Sequence, residues 1–310
     1  MIKTMVEGSF IAQVFRGGIE IIKTVRQKNL ILETKMQDST NLGGVLHVGT
    51  GNTTPAYNDT GLVSVLTSAA GAGWVASTSV LTASDYEKEV SNVFTFSLGA
   101  VVGNLAELGV SPSNNPLISF HTRALFKDGV GNPTVLTVTA QDQLVVTYFV
   151  KKTSSMLTTT SVVSADVGGT PTDIDYTIRP CISSQGDGGS GAVNPSSIYG
   201  FNPVMIVNSV NIISVDPVTF IPTSLNTSTE NAVGSSAIVL TATGNEVTHT
   251  FTFPISSGNL QWVSATLGNT TSTSVLVVIL QIEFNGPNYI TKINTETVTF
   301  QVKEIVDQVV

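Results

Sequence analysis

The side chains able to do chemistry are few and scattered. Three histidines, His47, His121 and His249, lie far apart in the sequence. None stands in the His-x-His or His-x-x-x-His spacing that gives zinc a local pair of ligands. Each is expected to be a strand histidine held by a backbone partner. Cys181 is the single cysteine, so no intramolecular disulfide and no thiolate metal set can be built. It is expected to be a small buried hydrophobe. Gly188-Gly189-Ser190-Gly191-Ala192 approaches a nucleophile elbow but ends in Ala and lacks the strand-to-helix setting that motif needs. It reads as part of a flexible Gly/Ser loop over residues 185–191. No lysine follows a glycine at phosphate-loop spacing. Asp173 and Asp175 share one face of a strand. With Asp166 or Asp187 they would offer oxygens to Ca²⁺, or a carboxylate pair to a glycosidase. Aromatic residues are only 7% of the chain, which leaves few rings to stack on sugars. A solvated face is the expected reading. No catalytic residue, metal ligand or cofactor site is assigned, and the chain is read as a non-enzyme.

The elements that would carry these residues are strands almost throughout. Val93-Phe94-Thr95-Phe96-Ser97-Leu98, Leu144-Val145-Val146-Thr147-Tyr148-Phe149-Val150, Thr250-Phe251-Thr252-Phe253 and Val298-Thr299-Phe300-Gln301-Val302 alternate apolar with Thr, Ser or Gln. That period marks half-buried strands of an antiparallel sheet or sandwich. Turn chemistry divides them at Gly51-Asn52, Asp128-Gly129, Gly131-Asn132-Pro133 and Asn285-Gly286-Pro287. One short helix is expected over residues 61–70, after the cap-like Asn58-Asp59-Thr60. The tail from Val302 is read as a strand continuing from Thr297.

Composition bounds the function. Of 310 residues, 41% are hydrophobic, enough for a core, but only 12% are charged, against about 25% in an average soluble protein. A chain so poor in charge is expected to cover much of its surface by assembly. The net charge of −8 and the longest basic run, Lys151-Lys152, give no footprint for nucleic acid; that run is read as a solvated strand end. The start of the chain lacks an apolar stretch of signal-peptide length. The longest apolar run, residues 275–280, falls far short of the roughly 20 needed for a membrane-spanning helix.

A repeat runs through this pattern. Glu89-Val90-Ser91-Asn92-Val93-Phe94-Thr95-Phe96 matches Glu246-Val247-Thr248-His249-Thr250-Phe251-Thr252-Phe253 at five of eight positions. Gly103-Asn104-Leu105 recurs as Gly258-Asn259-Leu260, and Phe126 falls against Phe284. Leu144, Val146 and Tyr148 then align with Val298, Phe300 and Val302, and the offset stays between 154 and 158 residues. The order and spacing predict two tandem antiparallel β-sandwich domains related by internal duplication, residues 1–152 and 153–310.

The first half also carries a resemblance. Its pieces are Asn29-Leu30-Ile31-Leu32-Glu33, Val48-Gly49-Thr50-Gly51-Asn52-Thr53-Thr54-Pro55-Ala56, Asp59-Thr60-Gly61-Leu62, Phe94-Thr95-Phe96, Asn104-Leu105-Ala106-Glu107-Leu108-Gly109, Arg123-Ala124-Leu125-Phe126 and Val145-Val146-Thr147-Tyr148. This series resembles a module of tailed-bacteriophage virion proteins of the tail, collar and fibre class. Asp175-Tyr176-Thr177-Ile178-Arg179-Pro180 resembles a strand that often follows it. Gly61 departs from the Ala of most relatives, and the second half keeps little of the Gly-Thr-Gly-Asn loop. The resemblance implies a virion structural protein assembled in the bacterial host cytoplasm. Its partners would be copies of itself and other virion proteins of the tail, neck or capsid. Alternatives are head decoration, or an adhesin for host surface glycans with Trp74, Trp262, Tyr57 or Tyr199 as stacking rings.

Read as residues, the same pieces are structural. Gly49 and Gly51 permit positive φ beside a strand end, Asn52, Asn58 and Asp59 can bond nearby amides, and Glu107 and Arg123 either pair across a sheet or stand as two independent exposed charges. The first 30 residues, with Lys3, Arg16, Lys23, Arg26 and Lys28, are a candidate docking strand for an acidic neighbour; the plainer reading is an edge strand blunted by lysine.

Overall fold

In the computed structural model the protein is described over residues 2–36, 42–76, 80–81, 85–115, 117, 119–155, 159–167, 170–180, 203–208, 229–240, 244–253, 261–262, 264–270, 276–285, 290–291, 295 and 298–308. Cys181, Asp187, Ser190, Tyr199, the 185–191 loop and Gly258-Asn259-Leu260 lie outside the described residues. Among the described residues the protein is mostly antiparallel β-strand, as its period-two pattern predicts, with one four-residue helix, Glu33–Met36. Among the described residues no helix is long and apolar enough to cross a membrane.

In chain order the first strands are β1 (Ile2–Arg16), β2 (Ile19–Lys23), β3 (Gln27–Ile31), β4 (Val45–Gly49), β5 (Val65–Ala70), β6 (Val75–Ala76) and β7 (Val80–Leu81). Next come β8 (Asp85–Thr95), β9 (Gly103–Leu105), β10 (Glu107–Ser111), β11 (Thr122–Leu125), β12 (Leu136–Val138) and β13 (Asp142–Ser155). They pair in the order β1, β3, β11, β10, β4, β5. A single bridge, Gly71 to Phe94, joins the end of β5 to β8. From β8 the order returns through β13 to β1. The sheet is thus nearly closed into a barrel, which leaves few free edges.

The core fills this ring because one side chain in two points inward. Thr4, Val6, Gly8, Phe10, Ala12 and Val14 are the buried register of β1. Leu144, Val146, Tyr148, Val150 and Lys152 are that of β13, and Val90, Asn92 and Phe94 that of β8. Each fully buried Phe, Leu or Val contributes about 1.5–3 kcal/mol, so the inward apolar positions carry most of the cohesion. Trp74 packs against this core, its ring edge-on to Tyr148 at 6.2 Å.

The remaining strands are β14 (Thr159–Val167), β15 (Thr170–Pro180), β16 (Pro203–Asn208), β17 (Thr229–Leu240) and β18 (Gly244–Phe253). They continue with β19 (Gln261–Trp262), β20 (Ser264–Thr270), β21 (Leu276–Asn285), β22 (Ile290–Thr291) and β23 (Val298–Gln308). Their pairing runs β14, β15, β21, β20, β16, β17, β18, β23. Beyond that, β23 meets Ile2–Val6 of β1 in parallel. Individual registers recur between the two halves. Phe94 faces Val146, and Phe251 faces Phe300. Leu108 faces Val48 and Ala124, and Ala265 faces Val207 and Ile282. Leu105 faces Leu136, and Trp262 faces Ile290. The Gly71 to Phe94 bridge has its counterpart in Gly234 to Phe251.

Three expectations are corrected. Residues 61–70 are not helical: Val65–Ala70 is β5, laddered along β4, and the cross-strand bonds override the cap-like signal before it. Within the first 30 residues β1 is interior, not an edge, whereas among the described residues β2 pairs on one side only. β13 covers one side of β1, and β23, β3 and β2 share the other. Most of its basic residues are already spoken for: Lys3 is paired with Asp307, Arg16 with Asp142, Arg26 with Glu89 and Lys28 with Glu7, while Lys23 is exposed. The Lys151-Lys152 run is not simply solvated, because Lys152 points inward and is buried while Lys151 pairs with Glu87 at 2.9 Å. The Asp128 turn forms as expected. Asp128 Oδ1 accepts from the Val130 and Asn132 amides, and the latter bond leads the causes that hold its carboxyl below the usual range.

Candidate functional site

The densest polar constellation lies on the outer face of β4, β10 and β11. Leu108, Val110 and Ala124 point into the barrel, so Glu107 and Arg123 point out. They are nevertheless buried, with 0% and 2% of their side chains exposed, because the 50–64 loop folds over them. Arg123 donates to Glu107 Oε2 through Nε at 3.0 Å, with Nη2 at 2.9 Å. The Gly51 and Ser64 amides donate to Glu107 Oε1 at 3.1 and 2.9 Å. Arg123 Nη1 reaches Asp59 Oδ2 at 2.5 Å, and Nη2 donates to the Thr53 carbonyl and Oγ1 at 2.9 and 3.0 Å. Asp59 Oδ2 also accepts from the Ala56 amide at 2.9 Å. The planar fork of one arginine thus ties two acids and the middle of a loop to the sheet.

Both glycines of the Gly-Thr-Gly-Asn segment serve this clamp, and neither uses the positive φ that glycine permits. Neither Gly49 nor Gly51 is among the positive-φ glycines, which include Gly17, Gly18 and Gly131. Their role is close approach. A Cβ on Gly49 would lie 2.3 Å from the Ser64 carbonyl oxygen, and one on Gly51 would lie 2.3 Å from Glu107 Oε1. Gly49→Ala is therefore expected to cost about 1–3 kcal/mol through displaced backbone. Chemical denaturation measures it, and a variant as stable as wild type would refute the close-approach account.

The histidines do not converge. His47 lies on β4, His121 precedes β11, and the backbone of His249 lies in β18. His121 Nδ1 accepts from the Gly43 amide at 3.0 Å. His47 Nε2–H is shared between Ser111 Oγ at 2.9 Å and the Ser113 carbonyl at 3.0 Å. Its ring packs on Phe120 at 4.7 Å, and its buried Nδ1 has no hydrogen-bond partner. Burial pushes the His47 pKa down, with the Ser113 carbonyl pulling the other way. The unfolded chain, near 6.5, therefore binds the proton first, so stability falls as the pH drops through and below that value. The denaturation midpoint is expected to fall between pH 7.5 and about 5.5 in wild type, and less so in His47→Gln. Equal slopes would refute this.

Asp173 and Asp175 share one face of β15 as expected, and both are exposed. Among the described residues no group of three or more His, Cys, Asp or Glu side chains is placed to hold a metal ion. A shallow groove of about 510 Å³ lies beside the β1–β2 turn, lined by Phe15, Arg16, Leu98 and Gln141. Its cation, Arg16, is bonded to Asp142, whose carboxyl that bond and Thr139 hold far below the usual range. Of the rings considered for glycan stacking, Trp74 and Tyr57 are half-buried against the core. The backbone of Trp262 lies in β19, and Tyr199 is outside the described residues.

The sequence offered the Glu107–Arg123 pair as one of two readings, the other being independent exposed charges, and gave no sign of Asp59 and Thr53 as further partners of Arg123. They sit 64 and 70 residues from Arg123 in sequence, and nothing local marks a loop residue for so distant a cation. The fold is thus an antiparallel sheet nearly closed into a barrel, with a loop clamped to its outside. No family model, curated protein or solved structure matches the chain.

Proposed function

We propose that this chain is a structural subunit of a tailed-phage virion, a component of the tail, neck or fibre-attachment assembly. It is built from two copies of one β module, residues 1–152 and 153–310. It acts by self-association and by contact with neighbouring virion proteins. The observation that carries this reading is where the resembling segments meet. The Val48-to-Ala56 loop, Asp59, Glu107 and Arg123 come from four separate pieces of that series and form one buried clamp. The clamp spends its hydrogen bonds on holding a loop to a barrel, which suits a rigid building block. The matched registers, from Phe94–Val146 and Phe251–Phe300 to the paired glycine–phenylalanine bridges, support a repeated module. A 12% charged fraction suits surfaces shielded by neighbours, and symmetry sums modest interfaces into a stable particle.

Light scattering on the purified full chain, with electron microscopy of virions labelled on it, tests the reading. Discrete multimers, and label at the tail or neck, are the expected result. A monomer at micromolar concentration that is absent from particles would overturn it.

A further inference from the structure

Four large aliphatic side chains stand clear of the core at one end of the barrel. Ile19, Ile21, Ile22 and Val25 are 71%, 44%, 37% and 58% exposed. Three of them belong to β2, all five of whose residues are exposed. β2 pairs with β1 along one edge, and among the described residues no strand pairs with the other. A free apolar edge offers a row of backbone donors and acceptors and is ordinarily blunted or covered.

The bulge in β2 arranges its charges. Glu20 lies opposite Phe15 and Lys23 opposite Gln13, with Ile21 the extra residue between them. Phe15 and Gln13 are two apart on β1, so Glu20 and Lys23 share one face of the sheet. The Gln13 amide donates to the Glu20 carboxylate on that face. An acid and a base so placed are self-complementary. In an antiparallel arrangement about a twofold axis, Glu20 of each copy lies opposite Lys23 of the other, with isoleucines between.

We propose that the free edge of β2 is a self-association surface that receives β2 of a second copy of this chain, antiparallel, with reciprocal Glu20–Lys23 pairs. This deepens the self-association reading above and rests on it. A second copy matches the acid and the base by symmetry, which favours it as the occupant.

The test compares wild type with Glu20→Lys, Lys23→Glu and the double swap, using light scattering over a range of concentrations on the full chain. Thermal melts confirm that each variant folds, as exposed sites allow. Each single swap places like charges opposite each other twice and is expected to weaken association about tenfold or more. The double swap restores opposite charges and is expected to recover most of that loss. If wild type associates and all three variants do so equally, the β2 surface is refuted while self-association stands. A double swap no better than the singles refutes the reciprocal pairing. A monomeric wild type removes the self-association reading and this surface with it.

Discussion

Glu107→Gln is expected to destabilise the protein by about 3–5 kcal/mol, the usual result of removing one partner from a buried ion pair. The amide oxygen can still accept from Gly51 and Ser64, but the amide nitrogen then meets the donors of Arg123, donor against donor. Arg123 would be left buried with only Asp59, 27% exposed, to balance it. Arg123→Met strands the Glu107 carboxylate in the same way and is expected to cost a similar amount. The double variant should lose much less than the sum, because it removes both stranded charges; a coupling of about 1–3 kcal/mol is expected. Urea denaturation of the four proteins gives the cycle. Hydrogen exchange at the Gly51 and Ser64 amides locates the effect, since both are bonded to Glu107. Additive losses, or unchanged exchange at those amides, would show that the loop is held some other way.

Phe10→Ala is expected to cost about 3–5 kcal/mol, the range for truncating a fully buried phenylalanine. Phe10 sits on β1 with no exposed surface, edge-on to Phe126 at a centroid distance of 5.7 Å and an interplanar angle of 88°. Its removal opens a void in the core where β1 forms part of the barrel wall. Phe149→Ala is the control. Phe149 points out of β13, is half-buried, and lies under the Arg26 guanidinium at 4.2 Å. Its loss is expected to cost about 1 kcal/mol, mainly a partly exposed cation–π contact. Equal losses from the two variants would mean that the inward and outward faces of this sheet are assigned wrongly.

The strands were legible because their information is local. Val93, Phe94, Thr95 and Phe96, or Leu144 through Val150, declare by alternation which side faces the core, and β8 and β13 obey. The tail from Val302 is ambiguous by itself and was read as a strand only as a continuation from Thr297; through Gln308 it belongs to β23. Residues 61–70 misled because Asn58-Asp59-Thr60 has helix-cap chemistry. Asp59 spends it on the Ala56 amide and on Arg123. The glycines misled in a different way. Positive φ is a local property and can be guessed from a turn, but Gly51 is required by the Glu107 carboxylate, 56 residues away.

Residue order was enough for the alternating strands and for which of their residues face inward. A pleated chain exposes alternate residues to opposite sides, and that needs no partner to be known. Which strand lies beside which was another matter. The first 30 residues read as an edge from Lys3, Arg16, Lys23, Arg26 and Lys28, yet β1 is interior because β13 runs along one side of it while β23, β3 and β2 share the other. The burial of Arg123 was equally out of reach, since it depends on a loop returning across the sheet to cover a charge. Such pairings join positions distant along the chain, and only the folded arrangement, where they compete for the same bonds, decides among them.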